Sequence, residues 1–135
     1  MEIELTDMEF RRLLDMAYIG NWILNSSRGA DRISDYDYLE SLLFSYCSSC
    51  GMTPLVDFSS GVAQPSEAFE NGGIHEAIAD YEDTVFFEIL AEELARRDME
   101  FEPIGPENLD ELTDRIDEYI EEFEQNGIDN ISLDK

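Results

Sequence analysis

Residues 6–27 read TDMEFRRLLDMAYIGNWILNSS, and they predict a long helix with a sharply defined start. Thr6 and Glu9 form a capping box, in which the hydroxyl accepts from the Glu9 amide and the glutamate reaches back to the Thr6 amide. Apolar residues then recur at steps of three and four, at Phe10, Leu13, Leu14, Ala17, Tyr18 and Trp22. Because no charge occurs from Met16 to Ser27, we expect the second half of this helix to be buried. Gly20 costs up to about 1 kcal/mol relative to alanine inside a helix, so we expect a close neighbouring backbone there.

Three further helices are predicted along the chain. Ser34 suits the N-cap of the second, and Gly51 suits its end. The third runs from about Ile74 to Asp98, and the fourth from Pro106 to Asn126. The second helix carries a predicted inner stripe of Tyr38, Leu39, Leu42, Leu43, Tyr46 and Cys47.

Between the second and third helices, residues 52–73 lose helical periodicity. We expect a long loop that is functional or is ordered by apolar side chains docking on the core, with one or two turns at Pro65 to Glu70. The docking candidates are Leu55, Val56, Phe58 and Phe69. Three short alternating pieces, at residues 2–5, 99–101 and 131–133, could pair into a small sheet.

The resulting fold prediction is mainly α. It is a single acidic helical domain over residues 1–135, built as a bundle of about four helices. A small sheet of two or three strands, from the termini and residues 99–103, is an open addition, and an α+β fold is the alternative. With 43% hydrophobic residues and aromatic residues throughout, the chain can bury one core despite its charge.

The charge of the chain is strongly negative. It has 33 Asp and Glu residues against eight Lys and Arg, a formal net charge of -25, and its only lysine is Lys135. Residues 1–60 carry ten acids and four arginines, whereas residues 61–135 carry 23 acids and three arginines besides Lys135. We expect no direct nucleic-acid binding, because such binding needs cations that displace condensed counterions.

The few arginines of the C-terminal half are expected to be neutralised locally. Each follows an acid by four residues, the favourable order on a helix, in the pairs Glu92/Arg96, Glu93/Arg97 and Glu111/Arg115. Little positive surface should remain free.

On the fourth helix, carboxylates recur at three- and four-residue steps and form an acidic ridge: Asp110, Asp114, Asp117, Glu121 and Glu124. Neighbours at this spacing lie about 5–6 Å apart. We hypothesise a non-enzymatic interaction protein that presents the ridge to a basic protein surface. In one form of this hypothesis the ridge imitates a nucleic-acid backbone, since phosphates repeat on a comparable scale.

Two alternatives remain open for the acidic surface. It can be a solvated face that reflects adaptation to salt and carries no function of its own. Alternatively, the chain is a magnesium-dependent all-α nucleotide pyrophosphohydrolase, because carboxylate-rich helices can hold Mg²⁺. Arg11 and Arg12 would be available for the phosphates. The magnesium ligands would come from acids of the third and fourth helices: Glu88, Glu92, Glu111, Asp114, Asp117, Glu118 and Glu121.

The sequence predicts no metal site and no cofactor. Cys47 and Cys50 stand at a helix C-terminus, where the helix dipole disfavours the thiolate that redox chemistry needs. A closed zinc site would need two further ligands, and His75 is the only histidine. We therefore interpret the cysteines as packing residues and His75 as a surface or capping residue, with zinc and redox roles as alternatives.

The N-terminus has no basic region followed by an apolar run, so it does not resemble a secretory signal. No stretch has the length and apolarity of a membrane span. We expect a cytoplasmic protein with reduced cysteines and no membrane partner.

Overall fold

The computed structural model describes residues 1–134 and shows a mainly α chain. Along it follow α1 (Asp7–Asn25), α2 (Ser34–Ser45), strands β1 (Val56–Asp57) and β2 (Gln64–Pro65), a one-turn helix α3 (Glu67–Phe69), α4 (His75–Asp98) and α5 (Leu109–Asn126). The two strands pair antiparallel, with Val56 opposite Pro65. The predicted mainly α fold with four long helices and a small sheet is confirmed.

The chain divides into two compact units, Met1–Ile78 and Ala79–Lys135. The boundary falls within α4, whose first turn belongs to the first unit. The two units are described separately below, and the single domain over residues 1–135 stays a prediction.

The first unit is organised around the start of α1. The predicted capping box is present, since the Glu9 amide donates to Thr6 Oγ1 over 3.2 Å and the Thr6 amide donates to Glu9 Oε2 over 2.8 Å. The helix buries Phe10, Leu14 and Tyr18 against side chains of α2, the strands and α3. The core therefore collects residues from α2, β1, α3 and the segments next to them, among them Phe44, Cys47, Val56, Ala63, Phe69 and Ile74.

The prediction that the second half of α1 is buried was wrong. Met16 is 71% exposed and Ile23 63% exposed, and the residues that this half buries are Tyr18, Asn21 and Asn25. A helix turns only one side to its neighbours, so an uncharged sequence does not ensure burial all round.

The predicted start, end and inner stripe of α2 also need correction. The N-cap is Ile33, not Ser34, and the helix ends at Ser45, with turns leading to Gly51. Phe44 is its buried residue, whereas Tyr38 and Leu39 of the predicted stripe are exposed. No side chain caps the helix, but the Ile33 amide donates to Asn25 Oδ1 over 2.7 Å, which ties the start of α2 to α1.

The small sheet lies inside the segment that was predicted to be a loop, not at the termini. Residues 2–5 and 131–133 form no strand, and the chain leaves α4 with Glu100 and Phe101 at φ of 58° and 54°. Such left-handed conformations cannot continue a strand. Of the docking candidates, Val56 and Phe69 are buried, whereas Phe58 is half exposed.

Between α3 and α4 the chain makes a wide π-helical turn over Glu70–Ile74. Gly73 interrupts it at φ 113°, a conformation that residues with a Cβ rarely adopt. The turn places Glu70 in the lining of the cleft described below, and His75, which follows the turn, contacts Tyr18 of α1.

The second unit pairs the rest of α4 with α5. Ala95, Met99 and Leu112 form a small buried cluster, and the Phe87 and Phe123 rings lie 5.4 Å apart. The helix α5 begins at Leu109 and not at Pro106, because Asn108 folds the preceding residues into a turn by accepting from the Gly105 amide. It ends at Asn126, as predicted, and Gly127 follows as the C-cap residue with φ 56°.

Gly20 has open space around it, contrary to the predicted close backbone. An added Cβ would meet no atom within 4 Å. Replacing Gly20 by alanine is therefore expected to raise the free energy of unfolding by about 0.5–1 kcal/mol, because alanine loses less backbone entropy on folding. Urea denaturation followed through Trp22 measures this. As a control, Gly73→Ala should destabilise, since φ is positive there. A loss of stability in Gly20→Ala would contradict the expectation.

Candidate functional site

The predicted fourth helix is α5, and we call its acidic ridge the α5 ridge from here on. All five of its carboxylates lie on the exposed side of α5: Asp110, Asp114, Asp117, Glu121 and Glu124. The opposite side of the helix is buried through Leu112 and Phe123. None of the five forms an ion pair or side-chain hydrogen bond with residues 1–134, while the neighbouring Glu111 and Glu122 do. The ridge carboxylates thus face solvent and have no partner among the described residues.

The arginines of the second unit are held by other acids. Arg96 pairs with Glu92 at 2.9 Å and Arg115 with Glu111 at 3.0 Å, as predicted. Arg97 pairs with Asp98 at 2.9 Å instead of the predicted Glu93. Asp98 also accepts from the Tyr119 hydroxyl, and these two hydrogen bonds, the tyrosine first, lower the pKa of Asp98. None of these three arginines forms an ion pair with a ridge carboxylate.

The carboxylates considered for magnesium do not converge. Within residues 1–134, no group of three or more His, Cys, Asp or Glu side chains is arranged to hold a metal ion. The seven acids of α4 and α5 that the hydrolase alternative would use therefore form no metal site among the described residues.

Cys47 and Cys50 are free thiols in the turns that follow α2. Cys47 is fully buried in the core of the first unit, and burial raises the pKa of its thiol. A raised pKa lowers the thiolate fraction, which is the reactive form. The position is that of a packing residue, in line with the interpretation from the sequence.

A cleft of about 680 Å³ opens in the first unit, and no pattern in the sequence had indicated it. It lies between α1, α2, the strand β2 and the π-helical turn. Its chemically distinctive lining residues are Tyr18, Asn21, Trp22, Asp37, Glu40 and Glu70. The volume is within the range of about 300–1,000 Å³ that is usual for small-molecule sites.

Two buried asparagines of α1 position the polar floor of this cleft. Asn25, which is fully buried, donates to Asn21 Oδ1 over 2.7 Å and to the Ile33 carbonyl over 3.0 Å. Asn21 in turn donates to Asp37 Oδ1 over 3.0 Å and to Glu40 Oε2 over 2.9 Å. Buried amides with every partner satisfied fix their own orientation. The two carboxylates are therefore held at defined positions on α2.

The carboxylates of the cleft differ in their electrostatic environment. Arg32 donates to Asp37 through Nε and Nη2 over 2.6 and 2.8 Å, and this bond, followed by the one from Asn21, lowers the pKa of Asp37. Burial, together with the charges of Asp37 and Glu70, raises the pKa of Glu40 despite its hydrogen bond from Asn21. The charge of Arg32 acts in the opposite direction, but Arg32 is paired with Asp37 and does not outweigh the desolvation of Glu40.

Aromatic side chains form another wall. The Tyr18 hydroxyl lies 2.6 Å from His75 Nε2, and the His75 and Trp22 rings meet edge to face at 4.9 Å. His75 is therefore packed against α1, which corrects its prediction as a surface or capping residue. Trp22 is 37% exposed.

Tyr18 gives this site a testable pH response. Burial, followed by the charges of Glu70 and Glu40, raises the pKa of Tyr18 to about 12. In the unfolded chain the pKa of a tyrosine is about 10. Between pH 10 and 12, Tyr18 therefore loses its proton in the unfolded state while it stays protonated in the folded state. The free energy of unfolding should fall over this interval, and the part due to Tyr18 should be absent in Tyr18→Phe.

Denaturation at stepped pH measures that difference, and Tyr36→Phe, at an exposed tyrosine, is the control. Identical pH slopes for wild type and Tyr18→Phe above pH 10 would contradict the raised pKa.

Comparisons of the chain with protein-family models, with curated proteins and with solved structures find no match. Among the helices of residues 1–134, none combines the length and apolarity needed to span a bilayer. The cytoplasmic location stays a prediction.

Proposed function

We propose that the protein is a non-enzymatic interaction protein whose α5 ridge docks on a basic surface of a partner protein. The observation that carries this proposal is the contrast within the second unit. The arginines there are all engaged by other acids, whereas the five ridge carboxylates have no partner among the described residues.

The physical basis is long-range attraction. A one-signed row of exposed charges on a chain of net charge -25 attracts a cationic surface from beyond contact distance and raises the rate of encounter. The ridge also costs stability, because like charges four residues apart repel by about 0.2–0.5 kcal/mol per pair. Burial of the opposite side of α5 offsets this cost, at about 1.5–3 kcal/mol per large apolar side chain.

A narrower form of the proposal is that the ridge imitates a nucleic-acid backbone. The regular spacing of its carboxylates along one helix supports this form. Its partner would then be a DNA- or RNA-binding protein, and the ridge would compete with nucleic acid for the same cationic residues.

Reversing Asp114, Asp117 and Glu121 to lysine is expected to weaken partner binding by about tenfold, if three exposed pairs each contribute about 0.5 kcal/mol. All three positions are exposed, so the fold should persist. Binding of the wild type should also weaken as the salt concentration rises from about 0.01 to 0.15 M. Quantitative pull-down from cell extract at both salt concentrations measures this, and the recovered partner is then titrated directly.

The matched control is the reversal of Glu76, Asp80 and Asp83, three exposed acids of α4 at the same spacing. It changes the net charge equally but leaves α5 intact. Equal recovery of the same partners by both reversed variants would reject the ridge and favour a general solvated acidic surface. Displacement of the partner by a single-stranded oligonucleotide would support nucleic-acid imitation, and its absence would restrict the proposal to the broader form.

A further inference from the structure

The cleft of the first unit has an excess of negative charge at fixed positions. Three carboxylates line it, from Asp37, Glu40 and Glu70, against the single guanidinium of Arg32. Arg32 is committed to Asp37 by two hydrogen bonds. No arginine forms an ion pair with Glu40 or Glu70 within the described chain, although the charges of Arg32 and Glu70 both reach Glu40.

The hydrogen-bond donors of the cleft floor are already used. Both amide hydrogens of Asn21 go to carboxylates, and those of Asn25 go to Asn21 and the Ile33 carbonyl. Acceptor capacity remains, because Glu40 uses one oxygen for Asn21 and the Glu70 carboxylate makes no hydrogen bond with residues 1–134. A ligand that donates hydrogen bonds and carries positive charge matches this imbalance.

The aromatic wall adds a second, independent feature. Trp22 lines the cleft with part of its ring exposed, and Tyr18 lies beside it at 6.2 Å between ring centroids. Indole faces attract cations through their quadrupole, with about 0.5–1 kcal/mol at exposed sites and more when the cation is desolvated. A bare metal ion would not use this wall, whereas an organic cation would use both the ring and the carboxylates.

We infer that the cleft binds an organic cation, an ammonium or guanidinium group that sits against Trp22 with Glu40 and Glu70 as its counter-ions. The inference goes beyond the proposed function and does not depend on it, because the cleft belongs to the first unit and the α5 ridge to the second. The ligand is either a free polyamine or a lysine or arginine side chain of a protein, and both present the same chemistry.

Trp22 is the only tryptophan, so its fluorescence reports on this cleft. We expect spermidine or N-acetyl-arginine amide to change the Trp22 emission to saturation, while potassium chloride at equal ionic strength does not. The spermidine arm represents a free polyamine, and the arginine amide arm represents a protein side chain. Saturation in either arm supports the inference and names the source.

Two substitutions test the assigned counter-ions. Glu70→Gln removes a charge that holds no structural hydrogen bond, and Glu40→Gln keeps an oxygen that can accept from Asn21. Each should weaken probe binding by about tenfold, as expected for a partly desolvated charge-assisted contact. Glu76→Gln, an exposed acid of α4 outside the cleft, is the matched control and should bind as the wild type.

Three outcomes would overturn the inference: an emission change that is linear and equal for potassium chloride, unchanged affinity in both glutamine variants, or tighter binding of AMP than of either cation. The variant reversed at Asp114, Asp117 and Glu121 separates this site from the proposed function. It should keep wild-type probe affinity even if partner binding is lost, and loss of probe binding there would count against a cleft site.

Discussion

Replacing Phe44 by alanine is expected to lower the free energy of unfolding of the first unit by about 3–5 kcal/mol. Phe44 is fully buried, and its ring meets that of Phe69 edge to face at 4.9 Å. Phe69 in turn contacts Tyr18 at 5.3 Å, so one cluster of rings joins α1, α2 and α3. Truncation would leave a cavity where these elements meet, and interiors relax only partly around such cavities.

Phe58→Ala is the matched control, because Phe58 is 49% exposed and the same atoms are removed. We expect it to cost less than about 1 kcal/mol. Urea denaturation followed through Trp22 fluorescence measures both variants. Similar losses at the two positions would mean that the ring cluster does not hold the first unit together.

Replacing Asn25 by alanine is expected to cost about 2–4 kcal/mol, although the side chain is polar. Asn25 holds the Ile33 amide and carbonyl and the side-chain oxygen of Asn21, over 2.7–3.0 Å. Its loss would leave these groups without partners at a buried site, where each unsatisfied group costs about 1–3 kcal/mol. Because Asn21 positions Glu40, binding of the cation probes in the cleft should weaken as well.

Asn126→Ala is the control for this second prediction. Asn126 donates through its side-chain amide to the carboxylate of Glu122, but both lie where water can replace the bond. We expect a change of no more than about 0.5 kcal/mol. A small effect at Asn25 would show that water satisfies the freed groups, and the loop between α1 and α2 would then be held by other contacts.

Local sequence determined the parts of the fold that depend on neighbouring residues. The capping box at Thr6 and Glu9 fixes the start of α1 through two bonds that span three residues. The bounds of α4 and the end of α5 at Gly127 likewise follow from patterns within a few turns of helix. The exposure of the α5 ridge belongs to this group, because helical spacing alone separates it from Leu112 and Phe123.

Tertiary structure decided which residues of α1 and α2 are buried and where the cleft lies. Tyr18 and His75 are 57 residues apart in sequence, and Asn21 meets Glu40 across 19 residues, so no local period announces either contact. From the sequence alone, Asn21 and Asn25 would be assigned to a loop or to the surface. A polar side chain is buried only where its hydrogen bonds are satisfied, and their partners are known only from the fold. Short stretches of sequence determine the charge of a segment and its helical periodicity. Hydrogen bonds to buried polar groups instead require distant segments to meet, and only the folded chain brings these segments together.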